Sequence, residues 1–318
     1  MPRHPAASGS FASGSDASGS AAAPVTLTRK AVVRPFTVAG TEQFCWDFPA
    51  VDTGGAGTGP TVFMVHGFRG DHHGLLRIVE ALPRHRVLVP DLPGFGIGTP
   101  LPGTHDVSAY TGFVRTALAE LGAGADTVLL GHSFGSIIAA RLAAESPELI
   151  SELILVNPIC EPALEGPKAI TSKAAELYYR LAARLPERPG LALLRSPLIV
   201  RGMSMLMAKT RDPELRRWIH GQHDAYFSAF ANRSVVLDAF RASISETVRD
   251  VAPRLGMPVL LIAAELDDLG SVKGQEHLAG LIPDARLCLL PGVGHLVHYE
   301  KPAEAGAAIE DFLARRHV

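Results

Sequence analysis

The stretch DTVLLGHSFGSIIAARLAAE, residues 126–145, decides how the rest of the chain is read. An apolar run of strand length ends at Gly131, and a helical pattern opens at Phe134. Between them, Gly131-His132-Ser133-Phe134-Gly135 matches GxSxG. A serine on so tight a turn needs glycine two residues before and two after, because larger neighbours would collide. The turn lifts the hydroxyl above the strand end, and the helix that follows points N–H groups at any anion forming there. The pentapeptide alone is a weak signal in a chain with 31 glycines, so its weight comes from standing between a strand and a helix.

Working outward, five more apolar runs have strand length: 61–67, 85–91, 153–158, 257–265 and 285–292. They are rich in Val, Ile and Leu without alternation, as strands covered on both faces are. Helical patterns fall between or after them at 74–82, 107–122, 134–146 and 302–316. That alternation predicts an α/β fold, a mostly parallel sheet flanked by helices with right-handed crossovers. An N-terminal pair of runs around Ala39-Gly40 reads as a hairpin added at one edge.

The alternation stops between about 160 and 252, where helical patterns occur without a convincing strand. A structureless loop of that length is implausible, so the segment is expected to be a helical cap inserted after the sixth strand. The expected organisation is a low-complexity disordered tail (1–24), the first part of the core (25–159), the cap (160–252) and the second part of the core (253–318). The tail is expected because 19 of its 24 residues are Ala, Ser, Gly or Pro. The cap carries 14 Lys and Arg against 10 Asp and Glu. That reads first as a solvated helical surface and second as a lid biased towards anions.

Composition narrows the function. The 318 residues carry a net charge of −2, which speaks against nucleic acid as a partner and leaves a small-molecule substrate. Three widely separated cysteines, Cys45, Cys160 and Cys288, form no CxxC, so neither a disulfide framework nor a cysteine metal site is expected, and a reducing cytoplasm suits them. No run of 18 apolar residues predicts a membrane span. The nearest candidate, GLALLRSPLIVRGMSMLMAK at 190–209, is broken by Arg195, Pro197 and Arg201. It reads as a buried or pocket-facing helix pair, with an interfacial anchor left open by Met203, Met205 and Met207.

A serine hydroxyl is a poor nucleophile near neutral pH and needs a histidine to take its proton and a carboxylate to orient that histidine. His295 follows the apolar run LCLLPGVG directly, with two glycines to let a loop reach over the sheet. The carboxylate is expected after the preceding run, where Glu265, Asp267 and Asp268 stand; Asp267 is the first choice and Asp268 the second. Oxyanion donors are expected from the backbone N–H groups of Phe134 and Phe68, the latter in His66-Gly67-Phe68-Arg69-Gly70. His66 reads as a structural hydrogen-bonder. His72 and His73 lie near that loop and with His66 suggest a metal, but no carboxylate or cysteine visibly completes the set, and neither metal nor cofactor is expected. In the cap, Tyr178, Tyr179, Trp218, Tyr226, Phe227 and Phe230 are natural pocket liners, though such spacing is more often helix core.

With these residues in hand, the chain resembles the α/β-hydrolase superfamily. Four elements coincide in order: HGF at 66–68, DLPGFG at 91–96, GHSFG at 131–135, and GVGH at 292–295 with EKP at 300–302. The order Ser, Asp, His along the chain is that of this fold and differs from the two protease orders. The resemblance implies Ser133, Asp267 and His295 as triad and the amides of Phe68 and Phe134 as oxyanion hole. One departure is Gly98, which stands where the similar sequences usually carry serine. Serine at 133 disfavours the epoxide hydrolase and haloalkane dehalogenase branches, which use aspartate there. The expected activity is carboxylesterase-like. A C–C bond hydrolase, a thioesterase, a lyase or a non-catalytic small-ligand binder of the same fold are the alternatives.

Overall fold

The computed structural model describes residues 28–51, 59–162 and 169–315, without side chains for 169–172; the expected tail at 1–24 lies outside them. Eight strands form one sheet: β1 (Val32–Val38), β2 (Thr41–Phe48), β3 (Val62–Val65), β4 (Val87–Pro90), β5 (Val128–His132), β6 (Glu152–Val156), β7 (Val259–Ala264) and β8 (Ala285–Leu290). Their order is β1-β2-β4-β3-β5-β6-β7-β8, parallel from β4 to β8. β1 and β2 form the edge hairpin, antiparallel to each other and to β4. Its turn places Ala39 and Gly40 at positive φ, 48° and 74°, the geometry that lets a two-residue turn follow the twist of the strands.

The unalternating runs are explained by cover on both faces. On one face Phe63, Leu88, Leu129, Leu153 and Leu261 pack under α2 (Val107–Glu120) and α3 (Phe134–Glu145). On the other, Met64, Val89, Leu130, Ile154 and Ile262 pack under α1 (Leu76–Glu80) and the helix Pro302–Ala314, here α11. A fully buried Leu or Ile contributes roughly 1.5–3 kcal/mol, which makes the sheet the rigid part of the molecule. Between β6 and β7 the described residues form α4 (Ala169–Arg184), α5 (Glu187–Leu194), α6 (Pro197–Met207), α7 (Pro213–Tyr226) and α8 (Arg233–Ser245). Two helices beyond the sequence reading, α9 (Val272–Leu281) and α10 (Val297–Glu300), flank β8.

Residues 187–207 are long and apolar enough, by length and composition alone, to cross a bilayer. The chain breaks that stretch into α5 and α6 at Arg195-Ser196, ahead of Pro197, which sits in the first turn of α6. Only 22% of its most apolar window is buried.

Candidate active site

Parallel strands deliver their following loops to one edge of the sheet, and four loops meet there: after β3, β5, β7 and β8. Ser133 directly follows β5 at φ 54°, ψ −121°, a strained conformation of the kind that costs on the order of 1–3 kcal/mol. The flanking glycines allow it. A Cβ on Gly131 would lie 2.4 Å from the Gly135 carbonyl oxygen, and one on Gly135 would lie 2.3 Å from that of Val65. The serine is held by its own N–H, which donates to Val156 O at 3.1 Å.

Ser133 Oγ lies 2.8 Å from His295 Nε2, and His295 Nδ1 lies 2.9 Å from one Asp267 carboxylate oxygen and 3.1 Å from the other. An ionised carboxylate only accepts, so Nδ1 carries the proton and Nε2 is free to receive one from the serine. All three side chains are buried. Asp267 also accepts from the Leu269 N–H at 2.8 Å. Asp268 is not brought to the histidine; it pairs with Lys209 of the segment that follows α6. Glu265 accepts from the Gly292 N–H instead.

The loop after β3 approaches closely enough that a Cβ on Gly67 would lie 3.2 Å from that of Ser133. Phe68 and Ser133 line one cavity with Leu75, Met207, Tyr226, Phe227 and Leu296. The backbone N–H groups of Phe68 and Phe134 have no acceptor among the described residues, and that of Phe134 is the first of α3. His66 is tethered at both ring nitrogens: Leu92 N–H donates to Nε2 at 2.8 Å, so Nδ1 carries the proton and donates to Gly67 O at 2.9 Å. It ties the β3 loop to the DLPGFG loop. In that second loop Gly98 donates to Phe95 O and accepts from Gly94, and a Cβ there would sit 2.8 Å from Leu92 O. The turn is too closed for the serine usual at this position.

Several participants escaped the sequence reading. Asn157, at φ 44° after β6, donates to His295 O at 2.8 Å and to Gly294 O at 3.3 Å, fixing the histidine loop. His132 and His298 stack edge to face at 4.1 Å behind His295. Burial drives the His132 pKa down to about 3 and that of His298 well below its ordinary value, so both rings are neutral. Arg69 is 1% exposed and has no carboxylate partner among the described residues. It donates instead to Leu194 O at 2.7 Å, Phe227 O at 3.0 Å and Tyr179 Oη at 3.2 Å, and lies over the Phe227 ring. Of the cap aromatics, Tyr226 and Phe227 line the cavity, while Tyr179 and Phe230 join the core.

Asp71, passed over as a ligand in the sequence, joins His72 and His73 in a trio whose ligand atoms lie within 4.8 Å of one another and which could hold a cation. Each imidazole already has its Nδ1 on a carboxylate, His72 on Asp91 and His73 on Asp71. Each ring is also stacked, His72 on Trp46 and His73 on Tyr226. Hydrogen bonding and stacking account for their placement.

Among known proteins, the chain is 31% identical over 248 residues to the polyketide synthase ThaQ of Burkholderia thailandensis, covering 76% of this chain and 11% of that one. It is 26% identical to the biotin biosynthesis bifunctional protein BioHC of Cellvibrio japonicus, covering 80% of this chain and 48% of the relative. The chain thus spans half or less of these two relatives. Among solved structures, a thermophilic esterase from Thermogutta terrifontis superposes with a TM-score of 0.70 at 25% identity, covering 92% of this chain and all of the esterase. The family model described as alpha/beta hydrolase fold matches residues 60–302. With the mostly parallel eight-stranded sheet, this makes the chain a member of the α/β-hydrolase family.

Proposed function

We propose that the protein is a serine hydrolase that cleaves an ester or related acyl bond of a small, largely apolar substrate. The observation that carries this reading is the continuous hydrogen-bond chain from Ser133 Oγ through His295 to Asp267. Ser133 attacks the acyl carbonyl while His295 Nε2 takes its proton, and Asp267 holds the imidazole in the useful tautomer and balances the imidazolium. The unpartnered amides of Phe68 and Phe134 receive the developing oxyanion. His295 then gives the proton to the leaving alcohol, an acyl-serine remains, and water activated by the same histidine releases the acid and restores the hydroxyl. The apolar lining by Phe68, Leu75, Met207, Phe227 and Leu296 suits an uncharged acyl substituent. The likeness to an esterase supports the same choice of bond.

The test is incubation of the protein and its Ser133→Ala variant with a fluorophosphonate, followed by intact mass, and a series of p-nitrophenyl esters. The expected result is one adduct on the parent, none on the variant, and ester turnover lost with the serine. Folded parent protein that takes no label and turns over no ester would overturn the assignment and favour a binding role.

A further inference from the structure

The apolar segment that the site leaves unused is α5–α6, and three independent observations bear on it. The first is exposure. In α6, Val200 and Ser204 turn inward and are buried, while Leu198 is 85%, Met205 59% and Leu206 52% exposed, with Gly202 exposed between them. The spacing 198, 202, 205, 206 is one helical face. An apolar helix face is ordinarily turned against protein, yet here it meets water.

The second is charge. From Arg188 to Arg211 the chain holds Arg188, Arg195, Arg201, Lys209 and Arg211 and no aspartate or glutamate. Arg201 and Lys209 are paired with Asp224 and Asp268, and Arg195 donates to Phe230 O. Arg188 and Arg211, at the two ends, are exposed and make no ion pair among the described residues. The third is continuity with the site, because Met207 at the end of α6 lines the cavity over Ser133.

We propose that the α5–α6 segment docks on an anionic lipid surface, with the outer face of α6 at the acyl boundary and Arg188 and Arg211 among the headgroups. Apolar helices with basic flanks lie in that plane, held by buried apolar area and by attraction to negative lipid. A second copy of the chain would bring the same face and no counter-charge of its own for Arg188 and Arg211, which anionic lipid supplies. That the docked segment passes an apolar ester inward along Met207 rests on the hydrolase reading. The docking does not.

The experiment is co-sedimentation of the full chain, as parent and as Ser133→Ala, with vesicles of phosphatidylcholine alone and of an equimolar mixture with phosphatidylglycerol. Both proteins are expected to bind the mixed vesicles, to bind phosphatidylcholine weakly and to be released by salt. Leu198→Asp with Met205→Asp, and separately Arg188→Glu with Arg211→Glu, should each weaken binding by at least about tenfold. Both double variants should keep the parent's melting temperature and its turnover of soluble p-nitrophenyl acetate. Failure of the parent to bind mixed vesicles, or equal binding by the aspartate variant, overturns the proposal. So does a dimer in light scattering that Leu198→Asp splits, which would assign the face to a second copy. Vesicle binding without turnover of the soluble ester would sink the hydrolase reading and leave docking standing, and turnover without binding would do the reverse.

Discussion

Asp267 and Asp268 are neighbours of identical chemistry, and what separates them is where their side chains go. Asp267 is 3% exposed, accepts a hydrogen bond from His295 Nδ1–H at 2.9 Å and is itself braced by the Leu269 N–H. Asp268 faces Lys209, 59 residues away in the chain, so no local pattern could rank the two. Asparagine at 267 would offer an amide where an anion is needed, letting the imidazole take the wrong tautomer and leaving its charged form unbalanced. Asp267→Asn is therefore expected to lower kcat by about 10³–10⁴-fold with little change in KM. Asp268→Asn should stay within about threefold, since a half-exposed ion pair contributes at most about 1 kcal/mol. Steady-state kinetics of the two variants on one ester checks this. Equal losses, or a larger loss at 268, would mean that the histidine is oriented by the other carboxylate.

At the scale of elements, the notable join is between the β3 loop and the helices that follow β6. Arg69 sits directly after Phe68, at φ 58°, and its guanidinium reaches the last residue of α5 and the residue closing α7. Those carbonyls are the negative ends of their helices, so two dipoles and the Phe227 ring take the place of a counter-ion. Arg69→Met would leave these acceptors unsatisfied in the interior, and the expected cost is about 2–4 kcal/mol. Because the same backbone turn aims the Phe68 amide, kcat should fall more than KM rises. Arg69→Lys should recover only part of either loss, having a point charge where a planar fork is used. Urea unfolding and ester kinetics on the two variants decide it; a methionine variant as stable and active as the parent would remove Arg69 from this role. The elements themselves were legible, because apolar runs without alternation mean strands covered on both faces, and Ser133 and His295 could be placed by standing directly after such runs. Arg69, Asn157 and His298 were not. A lone arginine, asparagine or histidine carries no periodicity, and its role arises from acceptors and rings that tertiary packing brings to it. α9 and α10 were missed for a related reason, being short helices whose apolar positions are too few to set a period.

Taken whole, the molecule encloses an unusual number of neutral imidazoles near one edge of its sheet. Burial lowers the pKa of His132 to about 3 and that of His223 to about 4, with His298 well below its ordinary value and His66 lowered as well. Unfolded, each would titrate near 6.5. Between pH 6.5 and pH 4 the unfolded chain therefore binds protons that the folded chain refuses. Stability is fully present above about pH 6.5 and is lost as pH falls towards the folded values. By pH 4.5 His132 and His223 can each withdraw up to roughly 2–3 kcal/mol, a large fraction of the 5–15 kcal/mol that a folded protein typically holds in reserve, and His298 and His66 act in the same direction. Glu300 works in the opposite direction, since burial raises its pKa and protonation relieves it, but it is one group against four. The carboxylates held low by arginine, such as Asp47 beside Arg86, start to lose stability only below about pH 4, so they do not account for loss in the higher window. Urea unfolding midpoints measured from pH 9 to pH 4.5 should be flat in the alkaline half, as far as these histidines are concerned, and fall steeply below pH 6.5. In His298→Asn the slope below pH 6.5 should be shallower by about one proton, whatever the variant's overall stability. An unchanged slope would show that His298 takes up its proton while folded, and the neutral cluster behind His295 would have to be abandoned.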